Sequence, residues 1–117
     1  MRPHYKLDAW KNAMDLVDEI YKITDNFPGE EKFGLTSQMR RSAISVPSNV
    51  AEGAARTSQA EFAHHINIAK GSLSELETQL IISKRQNYIE DISDLVELIA
   101  KVSSQLSGLY HHVKSKN

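Results

Sequence analysis

The richest polar set in the chain is Arg41, Glu52, Arg56, Lys70, Glu75 and Glu77, around the amide of Asn49 and the hydroxyl of Ser72. Such a set has two readings. Guanidinium and carboxylate groups at helical spacing make a network that fixes helix register and subunit contacts. The same cations, left unpaired, hold an anion or a nucleic-acid backbone. Glu75 and Glu77 would do acid–base work only if they converged, and positions i and i+2 on a helix diverge. Glu61-x-x-His64 has the spacing of a carboxylate-bridged di-iron ligand pair. No second Glu-x-x-His accompanies it, and His64 lies off its helix seam. All the histidines, His4, His64-His65 and His111-His112, therefore read as surface residues. The chain has no cysteine, which excludes disulfides, zinc–thiolate sites and cysteine nucleophiles. Neither a nucleophile elbow nor a glycine-rich phosphate loop is present. Gly71 reads as a close-packing site inside a helix. The expectation is no catalytic residue, no metal and no cofactor.

These residues need a scaffold, and periodicity supplies one. The 117 residues suit a single domain. A first helix is expected over 8–27, with Asp8 as N-cap, Pro28-Gly29 as the stop and a seam of Trp10, Ala13, Val17, Ile20, Thr24 and Phe27. A second is expected over 35–53. A third, over 59–86, opens with the capping box Ser58-Gln59-Ala60-Glu61 and carries Phe62, Ile66, Ala69, Leu73, Leu76 and Leu80. Asn87 and Tyr88 make the next turn. A fourth, over 91–113, carries Ile92, Leu95, Ile99, Val102, Leu106, Leu109 and Val113. Seams of this kind with short connections predict an all-α, antiparallel up-down-up-down four-helix bundle. No apolar run nears the roughly 20 residues that span a bilayer, and MRPHYKLDAW lacks a signal-peptide core. No membrane partner and a cytoplasmic location are the expectations.

The second helix is the unusual one. It holds the run RRSAISVPSNVAEG, Arg40–Gly53, with a proline in its middle and almost no charge between Arg41 and Glu52. At 100° per residue, Met39, Ala43, Val46 and Val50 form a core stripe. Ile44, Pro47, Ala51 and Ala55 form a second apolar stripe beside it, and Gln38, Arg41, Ser45, Ser48 and Glu52 a polar arc. That apolar arc is broader than one core face needs. It belongs either to a helix sunk between its neighbours or to one whose second stripe meets another subunit. Pro47 removes one helical hydrogen bond, and nearby serines are expected to satisfy the freed backbone groups. Arg40 projects into the second apolar arc, where it needs an acid or a phosphate.

Two runs carry a resemblance: LTSQMRRSAISVPSNVAEGAAR and SQAEFAHHINIAKGSLSELETQL. They resemble the four-helix-bundle proteins of the 23S rRNA-intervening-sequence family, also labelled ribosomal proteins, over roughly Ala9 to Leu109. Gln38, Arg41, Ser45, Pro47, Asn49, Ala51, Glu52, Gly53 and Arg56 match the family's second helix. Ala69, Gly71, Ser72, Leu73, Glu75, Leu76, Glu77 and Leu80 match its third. Ser42 stands where the family has alanine, and Lys70 where it has arginine; a lysine supplies a point charge where an arginine would fork. The resemblance implies a bacterial homopentameric ring with a central channel and no established enzymatic activity. It extends to accessory proteins of diversity-generating retroelements, which implies nucleic acid and a reverse transcriptase as classes of partner.

The expected function is a non-enzymatic oligomeric scaffold or accessory module that binds RNA or DNA through basic residues concentrated by assembly. The candidate contacts are Arg40, Arg41, Arg56, Lys70, Lys84 and Arg85. The candidate interface and structural network comprises Ile44, Ser45, Pro47, Ser48, Asn49, Ala51, Glu52, Gly71, Ser72, Glu75 and Glu77. Alternatives left open are a protein-binding adaptor that touches no nucleic acid, and a metal-dependent enzyme built in the bundle core. A net charge of −1 excludes a globally basic binder and leaves room for a local patch.

Overall fold

The computed structural model describes residues 2–116. It contains four helices: α1 (Asp8–Thr24), α2 (Leu35–Ala54), α3 (Gln59–Arg85) and α4 (Ser93–Lys114). Short 3₁₀ turns precede α1 at Pro3–Lys6 and α2 at Gly29–Glu31, and no strand occurs among the described residues. The helices lie side by side in a body of 46 × 24 × 22 Å. Each packs on the next, and α4 returns to α1.

One core runs between all four. Leu16 and Ile20 of α1, Met39, Val46 and Val50 of α2, Ile66, Leu76 and Leu80 of α3, and Val102 and Leu106 of α4 are fully buried. Each such side chain contributes roughly 1.5–3 kcal/mol. The seams of α3 and α4 lie where periodicity puts them. The expected α1 seam holds at Ala13, Ile20, Thr24 and Phe27, all buried, and shifts by one residue at two points, where Ala9 and Leu16 face the core and Trp10 and Val17 are half-buried shoulders. Ala9–Leu16 and Trp10–Val17 are equally spaced, so packing against the neighbouring helices decides between them.

The ends of the helices follow local chemistry. Leu7 precedes α1 without a side-chain cap, and Asp8 is the first helical residue rather than the cap. There its carboxylate faces the positive end of the helix dipole. Thr24 ends α1 three residues before Phe27, with its hydroxyl donating to the Ile20 carbonyl at 2.7 Å. Tighter turns then carry the chain to a buried Phe27. Ser58 caps α3 by accepting from the Glu61 amide at 3.3 Å. Asn87, at φ 64°, stops α3 in a left-handed cap. The Tyr88 and Asn87 amides bond back to the Ser83 and Lys84 carbonyls, as such a cap requires.

At this end of the molecule Tyr88 donates to Glu31 Oε2 at 2.8 Å, and Glu31 Oε1 accepts from the Leu35 amide at the start of α2. The hydrogen bond to Glu31 raises the Tyr88 phenol above its ordinary pKa. Asp91 accepts from the Ser93 amide at 2.9 Å before α4, and this bond lowers its carboxyl pKa. No helix among the described residues is long and apolar enough to cross a membrane.

Candidate functional site

Helix α2 runs unbroken through Pro47, which is buried within its own chain. Beside the proline the side chain that bonds the backbone is Asn49 rather than a serine: its Nδ2 donates to the Ser45 carbonyl at 2.9 Å and to Ser45 Oγ at 3.0 Å. With both donations on one side, Asn49 Oδ1 is left facing α3, where His65 Nδ1 lies 3.1 Å away. Glu52 Oε2 is 3.9 Å from the same nitrogen, and Arg56 donates to Glu52 Oε1 at 3.0 Å. In the other direction Ser45 Oγ meets Ser72 Oγ at 2.8 Å. A polar seam, Ser72–Ser45–Asn49–His65–Glu52–Arg56, therefore joins α2 to α3.

His65 corrects the expectation that the histidines are surface residues. Its side chain is only 14% exposed, whereas His64, His111 and His112 are exposed. Gly53 explains why. A β-carbon there would lie 2.7 Å from His65 Cβ and 2.9 Å from Phe62 Cδ1, so the α2 backbone is pressed against α3. Gly53 beside a polar Asn49 one turn earlier was the signal that a buried polar partner waits on the facing helix. Gly71 corrects the opposite error. It is exposed, and nothing lies within 4 Å of a β-carbon built on it, so no packing inside the chain accounts for it.

Toward the start of α2 the seam opens into a cleft of about 340 Å³ lined by Gln38, Arg41, Ser42, Ser45, Ser72 and Glu75. Arg41 has no carboxylate within 4 Å among the described residues. Glu75 takes one long contact from Gln79 Nε2 at 3.5 Å. Gln79 is itself buried, and its Oε1 has no hydrogen-bond partner.

The other sequence-derived contacts do not converge. Arg40 has found its acid: Nη2 bonds Asp25 at 2.9 Å, Nε bonds Thr24 Oγ1 at 2.9 Å, and the guanidinium sits 4.4 Å from the Tyr21 ring centroid. Lys70 lies 5.5 Å from the Tyr110 ring centroid on the α4 side. Glu77 lines a separate cleft with Ser74, Ser103 and Ser104. Lys84 and Arg85 are exposed at the end of α3, whereas Arg56 lies in the connection before that helix begins. Among the described residues no cluster of three His, Asp or Glu side chains could hold a metal ion.

The second apolar stripe of α2 forms one wall of a groove against α1. The groove, about 300 Å³, is lined by Trp10, Met14, Val17, Ile44, Pro47, Ser48 and Ala51. Ile44 is 40% exposed and Ala51 half-buried. A separate outward face, on α3, carries the exposed Ile68 and Ile82 with Gly71 between them in helical register.

Four packed helices, a polar α2–α3 seam and surplus apolar surface on two faces define an all-α four-helix-bundle protein. The family model described as 23S rRNA-intervening sequence protein matches residues 5–108, and the chain belongs to this family. No curated protein matches it.

Proposed function

We propose that this protein is a non-enzymatic scaffold that assembles with copies of itself and holds RNA or DNA on the resulting ring. The observation that carries the reading is the unfilled groove between α1 and α2, walled by Trp10, Met14, Ile44 and Ala51. Exposed apolar surface of this kind, rimmed by polar residues, marks an interaction site. A second, different face on α3 bares Ile68, Ile82 and Gly71. Two unlike faces favour a head-to-tail contact, and head-to-tail contacts close into rings. The family resemblance implies five subunits.

Pairs between helices support an up-down-up-down order. Met39 meets Ser83, Ser45 meets Ser72 and Asn49 meets His65, so the partners on α3 descend as α2 ascends. The pairs Arg40–Asp25 and Asn12–Gln105 fit the same order for α1 with α2 and α4.

Within one chain the basic residues are scattered, and Arg40 and Arg56 are spent on Asp25 and Glu52. Arg41, Lys84 and Arg85 remain for phosphate. Ring closure repeats each of them and raises their effective concentration along one strand. Light scattering tests the assembly: a monomer at working concentration overturns it. Filter binding against salt tests the ligand, and affinity that is absent at low salt, or insensitive to salt, overturns it. A second reading, an adaptor for protein alone, draws on Phe33, 90% exposed at the α1–α2 connection. Protein capture that survives nuclease treatment of the lysate, without salt-dependent oligonucleotide binding, favours that reading.

A further inference from the structure

The cleft between α2 and α3 presents two opposite charges that do not neutralise one another. Arg41 and Glu75 both line it, both are exposed, and they form no ion pair. Between them are hydroxyl donors that can be counted. Asn49 Nδ2 occupies one lone pair of Ser45 Oγ, and the Ser45–Ser72 contact uses one of the two hydroxyl hydrogens. The other hydrogen has no acceptor among the described residues. Gln38 and Ser42 add further donors. On the accepting side stands the Glu75 carboxylate, whose one side-chain contact among the described residues is the long approach of Gln79 Nε2 at 3.5 Å.

These demands select a ligand. A bare anion satisfies Arg41 and the hydroxyls but meets repulsion from Glu75. A cation satisfies Glu75 and leaves Arg41 idle. What fits both is an anionic group with a neutral hydroxyl donor beside it. The ribose-phosphate backbone of RNA has this arrangement, a phosphodiester next to a 2′-hydroxyl that donates to a carboxylate. DNA offers the phosphate alone.

Building on the nucleic-acid reading, we propose that this cleft seats one ribose-phosphate unit of an RNA strand, with Arg41 on the phosphodiester and Glu75 on the 2′-hydroxyl. Preference for RNA over DNA then resides in an acidic residue. Glu75 weakens phosphate binding in general and repays that only where a 2′-hydroxyl is present.

The test measures fluorescence anisotropy with a short single-stranded RNA, the DNA of the same sequence and its 2′-O-methyl RNA. The expected result on the unaltered protein is RNA about tenfold tighter than DNA, the scale of one hydrogen bond to a charged group. The 2′-O-methyl strand should behave like DNA, because it has no hydrogen to donate. Glu75→Ala should bring the RNA and DNA affinities together. Arg41→Ala should weaken all three strands and reduce the salt slope by about one. Equal binding of RNA and DNA by the unaltered protein, or a preference that Glu75→Ala leaves intact, overturns the ribose site and leaves the nucleic-acid reading standing. Binding of none of the strands overturns that reading as well. If Glu75→Ala or Arg41→Ala instead changes the mass found by light scattering, a sister chain fills the cleft, and the proposal falls.

Discussion

Gly53 and His65 stand so close that a β-carbon added to the glycine would lie 2.7 Å from that of the histidine. The contact sits where α2 and α3 press together, beside the hydrogen bond from His65 to Asn49. Gly53→Ala should therefore destabilise the fold by about 1–3 kcal/mol through overpacking, read as a lowered urea midpoint. Gly71→Ala is the contrast. With nothing within 4 Å of its β-carbon, it should stabilise the isolated chain by about 1 kcal/mol through helix propensity. If α3 meets a sister chain at Gly71, the same change should lower the assembled mass seen by light scattering.

Asn49 makes three polar contacts, two to Ser45 within α2 and one across to His65 on α3. Asn49→Ala should leave the half-buried His65 Nδ1 without an acceptor and cost about 1–3 kcal/mol in chemical denaturation. Asn49→Asp keeps an acceptor for His65 but loses both donations to Ser45, and should also destabilise.

Ala51→Glu places a carboxylate on the wall of the α1–α2 groove. Under the assembly reading the variant should keep full helicity by circular dichroism and run as a monomer. Loss of helicity would mean the groove closes within one chain.

Two groups set opposite pH limits. Hydrogen bonding by the Ser93 amide lowers the folded pKa of Asp91. The stability it contributes is thus present above the ordinary carboxylate value of about 3.9 and is lost as pH falls through the folded pKa. Tyr88 is raised by its bond to Glu31. Its contribution is full below the ordinary phenol value of about 10 and is lost as pH rises through the folded pKa. Asp91→Asn should flatten the acid limb of a stability–pH curve, and Tyr88→Phe the alkaline limb.

Much of the fold is legible in the residues themselves. Leu73, Leu76 and Leu80, like Ile99, Val102 and Leu106, recur at three-four spacing because helix geometry puts them on one side, and they are buried. Arg40 likewise announces its need for an acid, and Asp25 supplies it. What periodicity leaves undecided is the relation between helices. The α1 stripe holds at Ala13, Ile20, Thr24 and Phe27 and slips by one residue at two positions, because Ala9–Leu16 and Trp10–Val17 are equally spaced and only a neighbour distinguishes them. His65 reads as surface from its own helix, since its burial depends on Gly53 of another. Lys70, Glu75 and Glu77 look like one polar set along the chain, yet they turn toward Tyr110, the α2 cleft and the α4 cleft in turn. Proximity in sequence on a helix is not convergence in space.

Trp10 is the only tryptophan in the chain, and it forms part of the groove wall, with the His4 ring edge-on to it at 5.1 Å and the Tyr5 ring tilted against it at 5.4 Å. Nature has thus placed a single intrinsic fluorophore where a docking sister chain would displace water. If sister chains dock there, dilution through the dissociation range should shift its emission to the red, an optical readout of association that needs no label.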